Sequence, residues 1–320
     1  MVKKNIIITG ASGLVATELT NLLLDAEESY RIYAVSTHPD KLRERYKDVD
    51  NIICLSLDEL SILAGKEIDA VIHCAFARSK DPQDLAKSLL FTSDLLRIVK
   101  QIRPKVLVNI SSQSVYGQAT PPLWTEQTPP APDYLYALGK FSTEEMTKMA
   151  LEGTGIKFTS IRLSSVCENA RFLNVFAKNA LTGQPINIQG GGQMCSFVDV
   201  RDVASGLKKV IEIAPRLDSL QKVYNLGSGK TRTIKELAED TKRLVEQEKG
   251  INVALNVIPA DIHLEVGMDI SLFCKEFDWT PRFDYDDMIK SLISLNDSDL
   301  HGLGNMAISF KIVYTERVSK

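Results

Sequence analysis

A parallel β-sheet covered by helices on both faces is predicted for this 320-residue chain by three observations. Apolar runs of strand length alternate with helical patterns through the first half. The runs are unbroken stretches of Val and Ile rather than strict alternations, which suits strands buried on both faces. A glycine turn, TGASGLVA, joins the first run directly to the first helical pattern. Together these give an α/β architecture with right-handed crossovers.

In chain order, NIIITG reads as a strand, LVATELTNLLLDAE as a helix, YRIYAVS and IDAVIHCAF as strands, DLAKSLLFTSDLLRIVKQI as a long helix and KVLVNISS as another strand. Between 118 and 133, QATPPLWTEQTPPAPD holds five prolines, too many for a helix or a central strand. It reads as a long loop of the kind that borders active sites. The helix YALGKFSTEEMTKMALEG and the strand KFTSIRLSSV follow. Beyond about residue 168 the elements become short and mixed, among them FLNVFAKNALTG, the glycine-rich IQGGGQMCSF, VRDVASGLKKVIE, KVYNLGSG and IKELAEDTKRLVEQ. The last stretch, LHGLGNMAISFKIVYTERVSK, fits either a terminal strand or a disordered tail.

Composition narrows the partners. The chain is 44% hydrophobic and 25% charged, with a formal net charge of -3 and a pI near 5.9. No basic stripe or block of like charge appears, so neither a nucleic acid nor a membrane surface is expected as partner, and small molecules are. The five cysteines and four histidines are scattered and never in C-x-x-C spacing, which argues against a disulfide framework and against a metal site. The opening MVKKNIIITG has an apolar run too short for a signal-peptide core and reads as the first strand of a cytoplasmic protein.

The TGASGLVA turn has the features of a dinucleotide cradle. Gly10 and Gly13 let the backbone turn sharply and approach a pyrophosphate, and the helix that follows presents free N–H groups and its positive dipole end. Ala16 is small enough for close helix–strand packing. Gly10, Ser12, Gly13, Leu14 and Val15 are therefore the expected cofactor contacts; a glycine-rich turn without a ligand is the alternative. At the end of the second strand, where an acidic residue would hold the ribose 2'-OH of NAD, the sequence is AVSTHPDKLRER. Ser36 and Thr37 stand there, with His38, Lys41 and Arg43 close by. A hydroxyl-lined and locally basic site favours NADP over NAD.

Tyr136 and Lys140, in YALGK, lie one helical turn apart, but with nine Tyr in the chain and 24 Lys, chance alone gives roughly 0.7 such pairs. Context decides the matter. TGASGLVA, NISSQSVYG and YALGK occur in this order, followed by FVDVRDVA, VYNLGSG and DISLFCKEFDWTP, and the set resembles the extended short-chain dehydrogenase/reductase family, the NAD(P)-dependent epimerase/dehydratase group, over residues 4 to 295. The resemblance implies a Rossmann-type doubly wound parallel sheet with a smaller mixed α/β substrate-binding domain. It divides the chain into an NAD(P)-binding domain at 1–167 with about 198–226, a substrate-binding domain at about 168–197 and 227–298, and a terminal extension at 299–320.

By the same resemblance Ser112, Tyr136 and Lys140 are the catalytic trio. Tyr136 is the acid/base for the carbinol proton, Lys140 and the cofactor's positive ring lower its pKa, and Ser112 holds the reacting oxygen. A free tyrosine has a pKa of ~10, so bringing it down by about three units takes roughly 4 kcal/mol of differential stabilisation. Tyr136 and Lys140 also join the cofactor contacts, as do Ala75, Phe76 and Ala77 after the fourth strand. His73, inside that strand, reads as a packed core residue.

Departures from the family pattern limit the chemistry. Gln113 and Ser114 stand where 4,6-dehydratases carry Asp-Glu, which excludes that reaction. Gln113 and Glu168 stand where reductases with a built-in 3,5-epimerase carry Cys and His. A ketoreductase or a 4-epimerase is left, acting at C4 of a nucleotide sugar. Cys195 and Ser196 replace the Arg-Asp that grips the diphosphate, and Leu163 and Ser165 replace a usual Pro and Asn. Arg171, Lys178 and Arg232 are candidate substitutes for the lost guanidinium. A reductase of a non-nucleotide carbonyl compound and a non-catalytic NAD(P)-sensing protein are the alternatives. The four-helix contact through which the family often dimerises implies a homodimer with Phe141, Met146 and Met149 partly interfacial; core packing within one chain explains these residues as well.

Overall fold

The structure, a computed structural model, describes residues 3–26 and 29–300. The chain runs β1 (Lys4–Thr9), α1 (Leu14–Leu24), β2 (Tyr30–Val35), α2 (Pro39–Arg45), β3 (Ile52–Leu55), β4 (Ala70–His73), α3 (Pro82–Ile102), β5 (Val106–Ser112), α4 (Leu135–Leu151) and β6 (Lys157–Leu163). It continues through β7 (Ser165–Val166), α5 (Arg171–Leu181), β8 (Ile186–Gln189), β9 (Met194–Cys195), β10 (Phe197–Val198), α6 (Val200–Ile213) and β11 (Val223–Leu226). The last elements are β12 (Arg232–Thr233), α7 (Ile234–Lys249), β13 (Leu255–Ile258), α8 (Ser271–Phe277) and α9 (Tyr285–Leu300).

Seven strands form one sheet in the order β11-β6-β5-β4-β1-β2-β3, every neighbouring pair parallel. The order reverses between β1 and β4, so the crossovers leaving these two strands go to opposite sides. A crevice therefore opens beyond their carboxyl ends, where doubly wound sheets bind ligands. This is the Rossmann-type sheet expected from the unbroken apolar runs.

Burial explains those runs. Ile6 and Ile8 face one side of the sheet with Ile72, Val108, Leu19 of α1 and Leu207 of α6. Ile7 faces the other, with Val71, Leu107, and Leu95 and Val99 of α3. All of these side chains are buried, so along Ile6–Ile8 neither face of the strand turns to solvent. A separate apolar cluster joins α5, α7 and α9 to β8. α8, through Phe273 and Phe277, packs instead with the sheet's α1/α6 face.

The short strands β3 and β13 escape the periodicity reading. β3 is four residues long and β13 pairs only with β8. The terminal strand or tail weighed for the last stretch lies, from residue 301 on, outside the described residues. Among the described residues no helix is long and apolar enough to cross a membrane.

Candidate active site

The glycine turn is built by close approach. Gly10 has φ +66°, and a Cβ there would sit 2.7 Å from both N and Cα of Ala75. That contact brings the end of β1 against the segment after β4 and leaves no room for a side chain. Gly13 N–H donates to Gly10 O at 2.8 Å, and Gly13 is the N-cap of α1 with no side-chain capping bond and no acidic residue in the first turn. The start of α1 thus keeps its N–H groups and dipole end for an anion. Ser12 and Gly13 are exposed, Leu14 and Val15 half-buried. A pyrophosphate fits such a turn.

His73 holds this contact in place. Its ring is buried and parallel to Phe91 at 6.0 Å. Nδ1 lies 2.8 Å from Thr9 Oγ1 and Nε2 3.0 Å from Thr92 Oγ1. Thr92 donates its own hydrogen to Ser88 O, so Nε2 carries the ring proton and Nδ1 accepts from Thr9. Burial pushes the imidazole down to about 3, keeping it neutral. Thr9 Oγ1 in turn accepts from Ala75 N–H at 3.4 Å, and Ser88 Oγ accepts from Ala77 N–H at 3.1 Å. A core histidine was expected here; its place in the network supporting Ala75 and Ala77 was not legible in the sequence.

At the end of β2, Ser36 is buried and its hydroxyl accepts from His38 N–H, while Thr37 Oγ1 lies 3.1 Å from His38 Nδ1. Arg43 donates to Asp40 at 2.8 Å, to Glu59 at 3.1 Å and to Cys54 O at 3.3 Å. Its guanidinium is already engaged by two carboxylates.

Tyr136 and Lys140 meet around Phe76. Lys140 is 5% exposed, and its Nζ donates to Ile110 O at 2.7 Å, lies 4.6 Å from the Phe76 ring centroid and 6.0 Å from that of Tyr136. Phe76 packs edge-on to Tyr136 at 5.7 Å. Gly139 makes the wedge possible, since a Cβ there would come within 2.6 Å of Phe76 Cζ. Because Phe76 directly follows Ala75, the phenol ring and the glycine turn occupy one edge of the sheet. Burial lowers the Lys140 ammonium to about 8; Arg78 adds to the lowering, while Cys74 and Glu144 oppose it. Ser112 ends β5, half-buried, two residues beyond the carbonyl that Lys140 holds, and its Oγ accepts from Ser114 N–H at 3.2 Å.

A buried ion pair behind this group was not anticipated. Glu144, one turn beyond Lys140 on α4, accepts from Ser111 Oγ at 2.5 Å and from Arg162 Nε and Nη2 at 3.0 and 2.7 Å. Burial pulls the Arg162 guanidinium down, but its bonds to Glu144 and the carboxylate charge outweigh that and raise it. Arg162 also stacks over Tyr116 at 4.7 Å, and Tyr116 OH donates to Asn225 at 2.7 Å. Asn225 Nδ2 donates to Trp124 O and Asp269 O, so polar contacts run from α4 to the proline-rich loop. That loop is pinned: Trp124 N–H donates to Gly267 O, and Asp269 N–H to Trp124 O. A lone arginine inside the apolar strand KFTSIRLSSV was the available signal, because a buried charge demands a partner.

Around β9, Cys195 and Ser196 are buried. Burial pushes the Cys195 thiol up to about 12, and raises Cys167 as well, so both behave as packing residues. Ser196 Oγ donates to Lys230 O. Arg232 stands directly across from Cys195 in the antiparallel β12–β9 pair. Its guanidinium lies 5.4 Å from the Tyr285 ring and lines a charged cleft of about 260 Å³ with Glu236, Glu239 and Asp240. Glu168 accepts from Val200 N–H, and burial, then the charge of Asp199, raises its carboxyl to about 7. Among the described residues no group of three or more His, Cys, Asp or Glu converges as metal ligands.

The profile of the NAD-dependent epimerase/dehydratase family matches residues 6–227. An uncharacterized protein of Methanocaldococcus jannaschii is 27% identical over 71% of this chain and 76% of its own length. A UDP-glucuronate 4-epimerase of Thermodesulfobacterium geofontis is 25% identical over 92% of this chain and 96% of its own. The chain spans only 40% of a trifunctional UDP-glucose 4,6-dehydratase, 3,5-epimerase and reductase of Arabidopsis thaliana, at 24% identity over 75% of this chain. Among solved structures, UDP-glucuronic acid 4-epimerase from Bacillus cereus, in complex with UDP-glucuronic acid and NAD, superposes with a TM-score of 0.75 at 21% identity, covering 92% of this chain and 99% of that one. The shared fold is what such a superposition shows.

Proposed function

The chain belongs to the NAD-dependent epimerase/dehydratase family, and from that premise we propose that it carries out NAD(P)-dependent hydride transfer at C4 of a nucleotide sugar, as a ketoreductase or a 4-epimerase. The observation that carries the reading is the grouping of Tyr136, Lys140 and Phe76 beside the Gly10–Ala75 contact. Gly10, Ser12, Gly13, Leu14 and Val15 would hold the pyrophosphate, Ser36 and Thr37 the adenosine ribose, and Ala75, Phe76 and Ala77 the middle of the dinucleotide. The nicotinamide supplies a hydride acceptor or donor. Tyr136 Oη moves the carbinol proton, Lys140 favours its anionic form, and Ser112 Oγ orients the substrate oxygen.

The missing carboxylate at Ser36 supports NADP. Arg43's engagement by Asp40 and Glu59 weighs the other way, since it leaves that guanidinium less available to a 2'-phosphate. The same reading divides the chain into a dinucleotide-binding part (1–167 with about 198–226) and a substrate-binding part (about 168–197 and 227–298). It places the protein in the cytoplasm, in keeping with five cysteines all present as free thiols. It also makes the protein a homodimer: Met149 is 80% exposed on α4, and Leu138 and Leu90 on α4 and α3 are exposed apolar side chains as well.

Mass identification of the nicotinamide that copurifies with the protein, joined to reduced-nicotinamide absorbance with a panel of keto sugars, tests the proposal. Turnover that vanishes in Tyr136→Phe supports it; equal rates for that variant and wild type remove the catalytic assignment. A second reading, reduction of a non-nucleotide carbonyl, is favoured by buried Cys195 in place of the diphosphate-gripping arginine, with Arg232, opposite it in the strand pair, sharing a cleft with the α7 carboxylates Glu236, Glu239 and Asp240. Activity unaffected by millimolar UDP, GDP, CDP or dTDP would support that alternative.

A further inference from the structure

Lys140, which belongs to the trio, and Arg78, which does not, both approach the Tyr136 ring. Lys140 Nζ lies 6.0 Å from the ring centroid, and the Arg78 guanidinium carbon 5.9 Å from it. Arg78 lies in the segment between β4 and α3, two residues past Phe76, and its side chain is exposed. The two groups differ in what holds them. Lys140 is buried, under Phe76, and donates to Ile110 O. A guanidinium keeps its charge across the working pH range of proteins, whereas a buried ammonium does not.

We infer that Arg78 is a positioning residue for the reaction, a second and permanent cation that acts through Tyr136 by favouring loss of the phenolic proton. The inference rests on the reading of Tyr136 as the acid/base. The charged and titratable groups that bear on Lys140 are Cys74, Arg78 and Glu144, and the Tyr134 ring stacks on Tyr136 at 6.2 Å. Lys80 and Asp133 lie on the two flanking segments. Of the groups bearing on Lys140, Arg78 is the one cation, and it adds to the lowering that burial causes. Lys140 therefore sheds its charge as the pH rises through about 8. Above that point Arg78 keeps its charge 5.9 Å from the phenol ring.

A unit charge about 6 Å away moves an ionisation by roughly 0.5 to 2 pH units, depending on how much water lies between. The test is a pH titration of the tyrosinate absorbance band of the full chain, in wild type, Tyr136→Phe, Arg78→Gln and Arg78→Lys. The Tyr136→Phe difference isolates the one phenol. Its titration should move upward by about 0.5 to 2 units in Arg78→Gln and return at least halfway in Arg78→Lys, and the displacement should shrink in high salt, which a purely structural role would not cause. Thermal unfolding of both variants verifies the fold. A titration in Arg78→Gln that coincides with wild type overturns the inference, as does Arg78→Lys behaving like Arg78→Gln. The reading it rests on fails separately, through wild-type turnover in Tyr136→Phe.

Discussion

Replacing Glu144 by alanine should destabilise the edge of the sheet that carries Tyr136 and Lys140. The carboxylate is 5% exposed and both its oxygens are engaged, by Ser111 Oγ and by Arg162 Nε and Nη2. Without it, Arg162, itself buried and with Nη1 already lacking a partner among the described residues, becomes an uncompensated charge. Breaking a buried pair from one side costs about 3–5 kcal/mol, whereas replacing both partners by apolar side chains of similar volume is often close to neutral. At about 1.5 °C per kcal/mol for a chain of 320 residues, the single variant should lose roughly 5–8 °C in Tm. Urea unfolding followed by tryptophan fluorescence gives the free energies for Glu144→Ala, Arg162→Met and Glu144→Leu/Arg162→Met. The double variant should recover most of the loss. A single-variant loss under about 1 kcal/mol, or a double variant no better than Glu144→Ala, would refute the idea that this ion pair frames the site.

Other substitutions probe the remaining parts. Gly10→Ala should weaken dinucleotide binding at least about tenfold in a fluorescence titration, because left-handed backbone alone costs a non-glycine residue about 1–2 kcal/mol and the new Cβ meets immovable backbone of Ala75. Lys140→Met should be the more stable protein at neutral pH, by about 2–3 kcal/mol. The folded lysine titrates near 8 and the unfolded one at 10.5, so the unfolded chain binds more protons in that window and wild-type stability rises across it, closing the gap. Glu168→Gln should show the opposite course. With a folded carboxyl near 7 against an ordinary 4.5, wild type loses stability as pH rises between these values and should fall about 1–3 kcal/mol behind the variant by pH ~8, partial exposure setting the lower figure. Urea denaturation at a series of pH values measures both.

Much of the frame was legible because burial dictates it. A strand enclosed on both faces has to be apolar throughout, and Ile6, Ile7 and Ile8 announce β1 without any partner in view. The turn at Gly10 was equally open to reading, since its glycine answers a local need of the backbone. What stayed hidden depends on contacts between residues far apart in the chain. Glu144 and Arg162 are separated by 18 positions and joined only by the packing of α4 on the sheet. Arg78 reaches Tyr136 through the crossover after β4, which no helical or strand spacing encodes. The role of Phe76 as a wedge between ammonium and phenol likewise requires Gly139 to let it in, a fit between two segments. β13 has one partner strand, β8, and little buried surface, so its four residues carry a weak signal.

The most direct test of the central claim is a crystal structure of the full chain with bound dinucleotide. The pyrophosphate should lie on the Gly10–Gly13 turn, with nicotinamide C4 and the Tyr136 hydroxyl opening onto one shared space, so that a single carbinol could sit about 3–3.5 Å from both. A nicotinamide ring bound away from the β1/β4 edge, or a Tyr136 hydroxyl turned from it, would contradict the account.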